Sequence, residues 1–193
     1  MPRFDKGARL GQGGRSVMEL HRIGVKFFAT DPASVRLDDL IPVFHGWIQK
    51  QSLTGHLLID VHDYSHVHNG PGILLVAHEG NVGLDVSDGR PGLLYYRKTP
   101  SALSDVEHMG AIFRAAIQAC RLLEKARIQF NFNEFIVITN DRLHAPNDEN
   151  TFAELQPIVS AALRQAFEGA EFDLTRTSTD PKERLTMTCR RKT

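Results

Sequence analysis

The chain has 193 residues, 41% of them apolar and 24% charged, which is the composition of an ordinary globular protein able to bury a sizeable core. Twenty-three basic residues balance twenty-three acidic ones, so no global field draws the chain to nucleic acid or to an anionic membrane. No apolar run is long enough to span a bilayer, and neither a nucleic-acid nor a membrane partner is expected.

Residues 1–17 carry Gly7, Gly11, Gly13 and Gly14 among Arg3, Lys6, Arg9 and Arg15, without hydrophobic period, and read as a flexible lead-in. One globular domain is expected over 18–193. Val25 to Ala29 reads as a short apolar strand ended by Asp31-Pro32. Leu40, Ile41, Phe44, Trp47 and Ile48 recur at helical spacing and predict a helix over 38–50, with Pro42 in its first turn. Strands follow at 57–62, 73–78, 82–86 and 92–97, the last two joined by an Asp88-Gly89 turn.

Ser104-x-x-Glu107 is a capping box opening a long helix to about residue 126. β character resumes over 128–138. Thr151-x-x-Glu154 predicts the start of a third helix, which Pro157 should kink or restart. The alternation Phe172, Leu174 and Leu185, Met187, Cys189 around Asp180-Pro181 predicts a terminal hairpin. Runs of consecutive strands imply α+β: a largely antiparallel sheet with about three helices packed on one face. An open sheet face or edge is expected, and homodimerisation through the terminal hairpin is one use for it.

The densest chemistry lies at 60–79. Asp60, His62, Asp63, His66, His68, His78 and Glu79 surround Gly70-Pro71-Gly72, and imidazoles and carboxylates are the groups that bind transition metals and move protons near neutral pH. His66 and His68 are two apart, so an extended backbone gives them a common face, as it does Asp60 and His62. On that pattern Leu57, Ile59 and Val61 form the core face. A hairpin return would bring His78 and Glu79 towards Asp60 and His62. The ligand candidates are His62, His66, His68, His78 and Asp60, with Asp63 and Glu79 as catalytic candidates and Glu79 the proton carrier. Mixed nitrogen and oxygen donors suit zinc, iron or manganese. The plain structural account of the same residues is a polar turn.

The spacing matches no familiar metal fingerprint, and no glycine pattern supports a nucleotide cofactor. Asp141, Arg142 and His144, between a strand and a helix N-terminus, form a second candidate ligand-binding group. Cys120 and Cys189 belong to no C-x-x-C pattern, and a reducing cytoplasmic location is expected. Two functional expectations result. The first is a small cytoplasmic enzyme with one divalent metal, hydrolysing or oxidising a small molecule. The second is a non-enzymatic module that binds a protein partner and whose histidine loop is structural.

Overall fold

The computed structural model describes residues 22–68 and 70–193; the lead-in expected at 1–17 lies outside them. Among the described residues eight strands form one antiparallel sheet: β1 (Ile23–Ala29), β2 (Leu58–Tyr64), β3 (Gly72–Ala77), β4 (Gly80–Asp85), β5 (Gly92–Arg97), β6 (Phe130–Thr139), β7 (Phe172–Arg176) and β8 (Thr186–Arg191). Their order is β2-β3-β4-β5-β1-β6-β8-β7. Three helices, α1 (Leu40–Lys50), α2 (Asp105–Glu124) and α3 (Glu149–Ala166), complete the α+β fold. Helix α1 lies on β2 and β3, α2 on β1 and β5, and α3 on α2 and β7. Among the described residues no helix is long and apolar enough to cross a membrane.

Strand alternation makes the core. Val25 and Phe27 on β1, Leu93 and Tyr95 on β5, and Phe135 and Val137 on β6 meet Met109, Phe113, Ala116 and Cys120 of α2, all of them fully buried. Each large apolar side chain so removed from water contributes about 1.5–3 kcal/mol. Helix α2 starts as its sequence signature requires: Ser104 accepts the Glu107 N–H, while the Glu107 carboxylate reaches back to the Ser104 N–H at 3.1 Å. Helix α3 begins earlier than its apparent Thr151-x-x-Glu154 signal. Asp148 is the cap, accepting the Thr151 N–H at 2.8 Å, so the threonine serves as a donor within the first turn. The helix then runs through Pro157 without restarting.

The expected face assignment of β2 is reversed at its start. The register slips between Leu58 and Asp60, so Leu58 enters the core while Leu57 and Ile59 stand 58% and 54% exposed. A bulge adds one residue to the strand and flips every side chain before it. Asp60 and His62 do face away from the helices, as the alternation from Val61 onward implies.

Candidate functional site

The register separates the histidine cluster. Leu58 pairs with Ala77 at one end of the β2–β3 hairpin and Tyr64 with Gly72 at the other. His78 therefore lies beside Leu57, whose carbonyl accepts its N–H, while His66 and His68 lie beyond Tyr64. A strand of seven residues puts these ends roughly 20 Å apart at about 3.3 Å per residue. The hairpin return leaves His78 two residues past Val76, the partner of Asp60, and four past Leu74, the partner of His62, so it nears Asp60 only on the diagonal and does not reach His62.

What stays together is smaller. His62 Nε2 lies 3.7 Å from Asp60 Oδ2, and its ring stacks on Tyr64. Asp63 accepts the Ser65 N–H at 2.8 Å, and its hydrogen bonds with Ser65 lower its pKa. Burial is the largest single influence on Glu79 and opposes its ionisation. The Leu57 N–H, donated at 2.8 Å, together with the backbone and histidine neighbours, outweighs it and holds the pKa below the usual value. Glu79 is thus an ionised anchor for the start of β2. Among the described residues no group of three or more His, Cys, Asp or Glu is placed to hold a metal ion.

The second group divides. Asp141 accepts the N–H groups of Leu143 and His144 at 3.2 Å each and pairs with His144 Nδ1 at 2.8 Å. The hydrogen bond from His144 is the main reason its carboxyl pKa is lowered. Asp141 and His144 therefore shape the loop. Arg142 leaves it: its guanidinium donates to the Lys182 carbonyl at 2.7 Å, at the mouth of a groove on the sheet face opposite the helices.

That groove has a volume of about 970 Å³. Two rows of cross-strand neighbours make its floor: Leu94, Lys26 and Ile136, then Tyr96, Gly24 and Ile138. Glycine at 24 is needed for close approach. A Cβ there would lie 2.5 Å from Tyr96 Cε1, so only a bare backbone lets the phenol lean across β1. The Tyr96 hydroxyl then accepts a hydrogen bond from Arg184 at 3.1 Å, and Arg184 also reaches Asn140 Oδ1 at 3.4 Å. Burial is the main reason the Tyr96 pKa is raised, with Asp85 adding to the effect and Arg184 opposing it. The phenol keeps its proton and can donate it to a bound acceptor.

Within the floor Lys26 is fully buried, its ammonium 2.7 Å from Asp85 and 2.5 Å from Asp88, and both carboxylates line the groove with it. This ion cluster ties β1 to the end of β4 and to the turn at Gly89, whose φ of +72° suits glycine. Over Phe28, Arg90 stacks at 3.6 Å and pairs with Glu134 at 3.0 Å. On the far rim Asn147 Nδ2 donates to the carbonyls of Ser178 and Asp180 at 3.1 and 2.8 Å. With Arg142 on Lys182, this fixes the β7–β8 connection that carries Arg184.

The electrostatic contrast is specific. Lys26 is matched by two carboxylates, whereas Arg142 and Arg184 are held only by neutral oxygen atoms. Among the described residues neither has a carboxylate at ion-pair distance. Both cysteines are free, and burial raises both thiol pKa values, which removes them as nucleophiles.

Sequence reasoning reached Arg142 but missed Tyr96, Arg184 and Lys26. The available signal was a lysine inside the apolar run Val25-Lys26-Phe27-Phe28, at a position strand alternation turns away from the core. A scan against protein-family models matches none, and a search of curated proteins returns no significant relative.

Proposed function

We propose that the protein binds a small organic anion, an apolar body ending in a carboxylate or phosphate, in the groove on the open face of its sheet. The observation that carries this reading is the pair of guanidinium groups without acidic partners, Arg142 and Arg184, over a floor of Leu94, Ile136 and Ile138. Ligand sites of this size combine apolar walls with a few fixed polar groups, and arginine matches the planar oxygen pairs of carboxylates and phosphates. Tyr96 adds a protonated donor beside Arg184. Calorimetric titration with octanoate, octyl phosphate and octanol tests it. The two anions are expected to bind one per chain and octanol at least tenfold more weakly, because a neutral head leaves the arginines unmatched. Equal binding of all three would reduce the groove to an apolar patch.

The metal-enzyme expectation, with His66 and His68 as ligands, His62 or His78 as the third and Asp60 or Asp63 completing the shell, draws its support from Asp60 and His62, an acid–imidazole pair on the open face of β2. Two donors are fewer than the three protein ligands typical of catalytic zinc. Near-stoichiometric zinc, iron or manganese in protein purified without a nickel column would favour it. A cytoplasmic location is part of the proposal and is supported by two free cysteines.

A further inference from the structure

The two edges of the sheet are finished differently. On β2, Gln51 clamps the outer backbone of Leu58, donating to its carbonyl at 3.1 Å and accepting its N–H at 3.0 Å. Asp60 takes the Val61 N–H at 2.8 Å, and a bulge breaks the register. These are devices that stop an edge from pairing. The β7 edge has none of them. Thr177 donates to Thr186 and the Lys192 N–H to Glu171, so odd-numbered residues of β7 face β8. By alternation the backbone groups of Phe172, Leu174 and Arg176 point outward, and no side chain among the described residues caps them. Beside them lies an open groove of about 530 Å³, walled by Gln156, Ser160 and Arg164 of α3.

We propose that β7 pairs antiparallel with β7 of a second copy about Leu174, joining two sheets into one. Self-complementary charge favours a second copy over another strand. Arg164 meets Glu171 at 3.5 Å and Arg176 meets Glu149 at 3.5 Å, so α3 runs antiparallel to β7 with Gln156 level with Leu174. A two-fold axis at Leu174 then sets Gln156 across from its copy and Arg164 across from Glu149 of the second copy. Each end of the interface gathers two cations and two anions. The outward amides of Phe172 and Arg176 find each other's carbonyls across the axis.

Arg164 and Glu149 are exposed, so reversing either charge leaves the fold intact and only the interface is tested. In sedimentation velocity the parent is expected at twice 21.6 kDa. Arg164→Glu alone and Glu149→Arg alone are each expected as monomers, because each sets like charges together at both ends. Their equimolar mixture is expected to recover the dimer, since the heterodimer restores opposite charges at both ends. A parent that stays monomeric, whether or not its edge takes a strand from another protein, overturns the proposal. So does a dimer that survives in either single variant, or a mixture that fails to associate.

Discussion

Replacing Lys26 with methionine is expected to lower the free energy of unfolding by about 3–5 kcal/mol, the cost of removing one partner from a buried ion pair. Methionine keeps the apolar stem of the side chain between Leu94 and Ile136, so little packing is lost. What remains is Asp85, whose side chain is only 9% exposed, facing an uncharged thioether. Asp88 is better placed to turn to water, being 41% exposed. For a chain of this length the loss corresponds to a fall in Tm of roughly 6–20 °C. The double variant Lys26→Met/Asp85→Asn should recover part of it, because the stranded charge is gone. Urea unfolding of the parent and both variants measures this. A loss below about 0.5 kcal/mol in the single variant would mean that the cluster does not anchor the floor of the groove, since surface changes are of that size.

Arg184→Ala is expected to do the opposite: leave stability nearly unchanged and weaken binding of octyl phosphate or octanoate by about 10- to 100-fold. The estimate follows from about 1.5–3 kcal/mol for hydrogen bonds to a charged group. Arg184 is exposed, and its own partners, the half-buried Tyr96 and the exposed Asn140, are neutral. Its loss therefore strands no buried charge. Tyr96→Phe should cost less, because it keeps the ring over Gly24 and removes one neutral donor. Octanol binding should be indifferent to both changes. If Arg184→Ala lowers the affinity for octanol as much as for the anions, the residue shapes the groove and does not read a charge.

The α+β class, the α2 capping box and the terminal hairpin were legible because each rests on a local pattern: alternation, helical spacing, a turn. The start of β2 was not, because a bulge between Leu58 and Asp60 shifts the alternation by one residue and leaves no compositional mark. The Asp148 cap of α3 was obscured by a better-looking signal three residues later. The histidine segment drew attention through sequence proximity, yet the hairpin register spreads it along a strand. The groove was hidden for the converse reason. Lys26, Asp85, Tyr96, Arg142 and Arg184 come from three strands and two loops, and only the order β4-β5-β1-β6-β8 brings them together. Of these, Arg142 alone was a candidate ligand-binding residue on sequence.

On the proposed reading the ligand meets the open sheet face and not the histidine hairpin. Methyl-resolved NMR during titration with octyl phosphate tests it most directly. Saturable shifts are expected for the Leu94, Ile136 and Ile138 methyls, while those of Val61 and Val67, beside His62, His66 and His68, stay still. Shifts centred on Val61 and Val67, or none at the three floor residues, would contradict that reading.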